Sequence, residues 1–167
     1  MIKSLLESTK SVREILSGSL DPLTKEALRR WTGLDKDMMS HVDETGRGAD
    51  RTVAHVNALN HLLQNSAKHS GTIYRYLNNV PNWKVGQVIT LDSMTSFTEL
   101  LPSQVMRGKL QGLEGFTAVL VLKNSKSGVS IASVSNYPEE EEVLVPKKTK
   151  IRITDRFESH PDDEEVS

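Results

Sequence analysis

The stretch SNYPEEEEVLVP, Ser135 to Pro146, sets four consecutive glutamates directly against an apolar run. Val143, Leu144 and Val145 read as a short buried strand closed by Pro146. A run of acids is ordinarily a solvated face or a loop edge. If the strand has begun before the last acid, Glu140 and Glu142 share one of its faces, because side chains alternate with period two. Why like charges should stand against a buried strand is then a question for the rest of the chain.

Working outward, the downstream half is rich in short β-forming runs separated by Asn, Gly, Pro and Ser. TIYRYL, KVGQVITLDSMT, FTAVLVLKN, GVSIASVS, EEVLVP and TKIRITD are the candidate strands. Between the second and third, FTELLPSQVMRGKLQGLEG reads as a helix or structured loop. Upstream of Ser70 the period is helical. Met1 to Ser17 is amphipathic, DPLTKEALRRW opens with Asp21 as N-cap and Pro22 at the first helical position, and a helix capped by Asp50 runs to about His69. That last helix carries Val53, Val56, Leu59, Leu62 and Leu63 on one face. GLDKDMMSHV is a short intervening segment and DETGRGAD a loop. Helices followed by strands predict an α+β fold: an N-terminal helical part over 1–69 and a mixed or antiparallel β core over 70–157, within one domain. Residues 158–167 are acidic and poor in apolar residues, as in a flexible tail.

With 37% hydrophobic and 26% charged residues the composition is that of a soluble globular protein. No stretch approaches the ~20 apolar residues of a membrane span. The N-terminus, with charges between its apolar residues, is not expected to be a signal peptide. The absence of cysteine excludes disulfides, thiolate nucleophiles and thiolate metal sites. A net charge of −1 argues against a broad basic surface for nucleic acid, which stays a possible but unfavoured partner. A cytoplasmic place of action fits.

Several residues have ordinary structural roles as their first reading. His55, His61 and His69 are six and eight residues apart, so none makes the i, i+4 pair of a helical zinc site; no metal is expected, and the three read as surface or half-buried histidines. Gly46 and Gly48 follow no strand and lack the lysine of a phosphate loop. Trp31 and Trp83 read as core residues. Three features remain. Arg75 interrupts the otherwise apolar TIYRYL and invites an anion. Hydroxyls cluster at Ser93, Thr95, Ser96 and Thr98, and Glu140 and Glu142 precede the last buried strand.

Their order, an arginine on the first strand, Ser-x-Ser/Thr on a later one, then Glu-x-Glu leading into a strand, resembles the mono-ADP-ribosyltransferases of the Arg-Ser-Glu class. YRYL is similar to the family's Tyr-Arg element and LDSMT to its Ser-Thr-Ser element. YPEEEEVLVP is similar to its Glu-x-Glu turn, and LRRWTG to its aromatic-Thr-Gly segment. The serine register is taken as Ser93-Met94-Thr95, over one beginning up to three residues later.

The resemblance implies the family's fold, with two packed sheets, and transfer of ADP-ribose from NAD⁺ as co-substrate to a protein, releasing nicotinamide. It implies Glu142 as the carboxylate that stabilises the cationic ribose and accepts from its 2′-hydroxyl. Ser93 would hold Glu142, Arg75 would bind a phosphate of NAD⁺ beside Tyr74, and Glu140 would face the acceptor, an arginine of the target protein. Tyr137 is the candidate contact to that protein. A bacteriophage enzyme acting on proteins of its bacterial host is the setting the resemblance suggests. The competing expectations are the same fold acting on a nucleic acid end or on water, and a non-catalytic module whose acidic turn binds a basic partner.

Overall fold

The computed structural model describes residues 20–101 and 118–157. The expected first helix, the acidic tail and most of the segment after Leu101 lie outside them. Among the described residues three helices come first: α1 (Pro22–Trp31), α2 (Lys36–Thr45) and α3 (Asp50–Asn65). Asp21 caps α1 by accepting from the Thr24 amide at 2.8 Å, and Pro22 takes the first position, where a missing N–H costs nothing. The segment expected to be a short intervening one is a full helix, α2, stopped by Gly46 in the left-handed region at φ 71°. Asp50 is the first residue of α3, not its cap, and the helix ends at Asn65, short of His69.

Seven strands follow: β1 (Gly71–Leu77), β2 (Val88–Thr90), β3 (Thr95–Thr98), β4 (Ala118–Ser125), β5 (Val129–Ser130), β6 (Glu142–Val145) and β7 (Lys150–Arg152). A five-stranded sheet has the order β4-β1-β3-β6-β5, and β2 pairs with β7 in a second sheet; every pairing is antiparallel. The α+β expectation and the two sheets are both observed. Thr95–Thr98 is β3, where the sequence suggests a strand end running into a helix or loop, and of the expected strand GVSIASVS only Val129–Ser130 pairs, Ala132–Val134 forming a 3-10 turn.

All four residues of β6 are buried, so both faces of this strand are covered. Leu144 joins a cluster formed with Leu28, Trp31, Met39, Leu59 and Leu63 of the helices. Val143 and Val145 turn the other way and pack with Ile73, Phe97 and Ile151 of β7. Burial of each such side chain contributes about 1.5–3 kcal/mol. Gly128 lets the β5 chain pass β6 closely, since a Cβ there would meet Val143 Cγ1 at 2.4 Å. The helices thus cover one face of the large sheet and the small sheet the other, with β6 between them. Of the two tryptophans, Trp31 is a core residue; Trp83 is half-buried and belongs to neither cluster.

Candidate active site

Glu142 begins β6 and shares its face with Leu144, so its carboxylate points to the helix layer. It is 7% exposed. A charge so placed needs donors, and three converge on its Oε2. Ser96 Oγ donates at 2.6 Å, the Trp31 indole N–H at 2.9 Å and Lys36 Nζ at 3.3 Å. Among the described residues no donor reaches Oε1. Donors from β3, α1 and α2 thus hold one oxygen of the carboxylate.

The serine at this position is a correction. Ser93 lies in the bend before β3, and its Oγ sits 2.9 Å from Ser40 Oγ on α2. In the β3–β6 ladder Ser96 stands opposite Leu144 and Thr98 opposite Glu142, so Ser96 is the diagonal neighbour of Glu142 on the same face. A shift from 93 to 96 also changes parity, and parity decides which face a strand residue occupies. Met94, between them, fills the helix-side core.

Ser96 also reaches the arginine. Arg75 Nη1 donates to the Ser96 carbonyl at 2.9 Å. The half-buried guanidinium is pushed below its ordinary range by burial, while the Glu142 carboxylate works in the opposite sense. Arg75, Ser96 and Glu142 therefore form one connected constellation through β1, β3 and β6. Tyr74, the other β1 residue singled out, stacks on Tyr76 with ring centroids 6.3 Å apart, and its register partner is Thr98. Tyr76 donates to the Leu100 carbonyl at 2.7 Å; burial, then Tyr74, pushes its phenol up to about 12.

Glu140 does not belong to the strand. Pro138–Glu140 form a single 3-10 turn, and Glu141 follows in the left-handed region at φ 47°. That kink removes the period-two argument for a shared face. The turn is instead anchored by its backbone: Thr98 Oγ1 donates to the Glu140 carbonyl at 2.6 Å, and the Glu99 amide to the Glu141 carbonyl at 3.2 Å. The Glu140 carboxyl is half-buried and pushed up, first by burial and then by Glu142 and Glu139, with Lys36 opposing. Tyr137 precedes this turn, half-buried, with its amide donating to Ser135 Oγ at 2.9 Å.

The Trp-Thr-Gly segment docks the end of α1 onto the same loop. Thr32 Oγ1 accepts from the Asn136 amide at 3.2 Å, and Asn136 Nδ2 donates to the Arg29 carbonyl at 3.0 Å. Gly33 is needed there because a Cβ would lie 2.8 Å from the Arg29 carbonyl oxygen. Trp31 and Lys36 are the site residues that sequence reasoning missed. A signal for Trp31 did exist: Ala27, Leu28 and Trp31 form one buried helix face, and a buried indole, which can only donate, needs an acceptor. Lys36 has no comparable signature.

Of the histidines, His55 is buried, against expectation. Its Nδ1 lies 2.8 Å from Arg30 Nη1, in a cluster with Thr52 that ties α1 to α3. Burial, then Arg30 and Arg51, pushes it toward the neutral form. Among the described residues no three potential ligands are grouped for a metal, and no helix is long and apolar enough to cross a membrane.

No protein-family model and no curated protein sequence matches this chain. Solved structures do. The type III effector XopAI from Xanthomonas axonopodis pv. citri superposes with a TM-score of 0.66 at 19% identity, over 99% of this chain and 70% of that one. The eukaryotic mono-ADP-ribosyltransferase ART2.2 gives 0.65 at 19% identity, over 95% and 74%. An ADP-ribosyltransferase from Clostridium botulinum gives 0.62 at 18% identity, over 93% and 90%. The chain has the ADP-ribosyltransferase fold.

Proposed function

We propose that this protein is an NAD-dependent mono-ADP-ribosyltransferase that modifies an arginine side chain of a target protein. The observation that carries the reading is the constellation of Arg75, Ser96 and Glu142, built within a fold shared with ADP-ribosyltransferases. A variant of one of them, ART2.2, was solved in complex with NAD.

The residues suit that chemistry. The bond broken joins the ribose to a pyridinium nitrogen; its electron pair leaves with nicotinamide, which departs neutral and needs no acid. Positive charge then develops on the ribose, and a fixed carboxylate stabilises it. Glu142 is such a group: Ser96, Trp31 and Lys36 hold one oxygen, so little reorganisation accompanies the reaction. Arg75 would present its planar fork to a phosphate of NAD⁺. The acceptor guanidinium forms the new bond through one nitrogen and releases one proton. Glu140, whose carboxyl burial pushes up, would pair with that group and take the proton. Tyr137, on the adjoining turn, would touch the target.

Incubation with labelled NAD⁺ and a bacterial lysate, followed by mass spectrometry of the labelled side chain, tests the reading. ADP-ribose on arginine is the expected result. Label on a nucleic acid end, or release of free ADP-ribose only, would replace the acceptor and keep the chemistry. Neither NAD⁺ binding nor nicotinamide release would leave a binding module.

A further inference from the structure

Asp43, in the last turn of α2, is a buried carboxylate that the chemistry described above does not use. Both of its oxygens are engaged. The Met94 N–H donates to Oδ2 at 2.6 Å, the Asn60 side chain of α3 donates to Oδ1 at 2.8 Å, and Lys147 Nζ lies 3.4 Å from Oδ1. Two of these partners stand at the same end of one strand pair. Thr95 opposite Val145 is the last rung of the β3–β6 ladder. Met94 directly precedes that rung on one chain, and Lys147 follows it on the other, beyond Pro146. The proline has no N–H with which to carry the ladder further.

We infer that Asp43 is the positioning residue that fixes the register of β3 against β6, and so makes Ser96 the hydroxyl that meets Glu142. The ladder is short, and its apolar pattern leaves one ambiguity. A slip of one residue would turn Met94 away from the helices and Phe97 toward them, although each is packed in its own core cluster. A slip of two keeps every side chain on its face, and sets Met94 or Thr98 opposite Leu144 in place of Ser96. Side-chain faces alone do not separate these registers; a bond to one particular amide does. Asp43 takes the Met94 amide on one chain and the Lys147 ammonium on the other. A slip would therefore leave a buried carboxylate oxygen and a backbone N–H without partners. A buried ion pair is seldom the most stabilising choice for a core position, and its best-attested use is to specify register. The clamp reaches the site through Ser96, two residues beyond Met94, whose Oγ donates to Glu142 at 2.6 Å and whose carbonyl accepts from Arg75.

The inference rests on the proposed transferase reading for its activity readout only. Asp43→Asn keeps the shape of the side chain, but its one remaining carbonyl oxygen cannot serve both Met94 and Asn60. Nicotinamide release by the full chain should fall about tenfold in kcat, with KM for NAD⁺ within about twofold. In a Ser96→Ala background the same change should cost less than about twofold, because the clamp acts through that hydroxyl. Cross-strand NMR contacts between Ser96 and Leu144 should weaken in Asp43→Asn. Losses that multiply in the double variant, a wild-type kcat in Asp43→Asn, or Ser96–Leu144 contacts of wild-type strength would each overturn the inference. If Asp43→Asn does not fold, Lys147→Met, at a half-buried residue outside both core clusters, carries the same cycle with a loss of about threefold. A wild-type Met94 amide that exchanges with solvent as fast as an exposed loop amide would also overturn it, with no variant needed. A wild-type protein that releases no nicotinamide would instead defeat the transferase reading, and the NMR contacts and amide exchange would still decide the role of Asp43.

Discussion

Strand β6 and the turn before it carry one carboxylate each, two residues apart, in opposite physical situations. Glu142 is buried, on a strand covered on both faces, with three donors on a single oxygen. Glu140 is half-buried on a 3-10 turn that a left-handed Glu141 sets off from the strand; its backbone carbonyl is held, but among the described residues no hydrogen-bond donor reaches its carboxylate. The first is built to present charge without moving. The second, on the proposed reading, is the one that meets the acceptor. A single motif thus divides into an anchored half and an adaptable half, and the dividing element is one residue of unusual backbone conformation.

The sharpest way to break this contrast is at the anchored carboxylate. Glu142→Gln keeps the shape of the side chain but removes the charge, and NAD⁺ cleavage should fall about 10²- to 10³-fold, with transfer falling equally. Nicotinamide release measures it, and near-wild-type release would defeat the role. Next in size is Glu140→Gln, which should lose arginine transfer by about 10²-fold while NAD⁺ hydrolysis continues. Equal loss of both activities would mean that the two halves are not distinct.

The support of the anchored half comes third. Ser96→Ala removes one donor to a buried carboxylate, for about a tenfold loss in kcat, whereas Ser93→Ala should stay within about twofold because it breaks only the contact with Ser40. The reverse order in steady-state kinetics would restore the register that begins at Ser93. Trp31→Phe keeps the ring in the core but deletes the indole donor, and a loss of similar size is expected.

The smallest effect concerns stability. Burial raises the Glu140 carboxyl above its unfolded value, so the folded state holds its proton to higher pH than the unfolded chain does. The group therefore costs no stability below the ordinary carboxylate range, and the cost grows as pH rises through the raised value and the charge appears. Glu140→Gln should then stabilise the protein at neutral pH by less than about 1 kcal/mol, screened because the group is partly exposed, and the gain should vanish in acid. Thermal melts at the two pH values check the sign. A gain of this kind at the expense of transfer is the mark of a group kept for function.

Much of this contrast was legible in the sequence, and unevenly so. The charged-to-apolar junction at Glu142 and Val143 announced a strand with a carboxylate at its mouth, and Arg75 stood out as the lone charge in TIYRYL. Both readings rest on period two, which a single strand displays by itself. Asp21 and Pro22 marked the start of α1 because capping is a local matter. The errors fall where neighbours decide. TSFT reads poorly as a strand because Ser96 and Thr98 put hydroxyls on a buried face, where one donates to the Glu142 carboxylate and the other to the Glu140 carbonyl. The face shared by Glu140 and Glu142 failed because a turn, not a strand, precedes β6.

By itself, then, the sequence determined that helices precede strands, and with that the α+β class, and it singled out Arg75 and Glu142 as polar residues out of place, since propensity, capping and alternation act over a few neighbouring residues. Which serine meets Glu142, and that a helix tryptophan and Lys36 meet it too, was decided only by tertiary structure. Those partners lie 46, 111 and 106 residues away along the chain, and ladder register and helix packing alone bring them within hydrogen-bond distance.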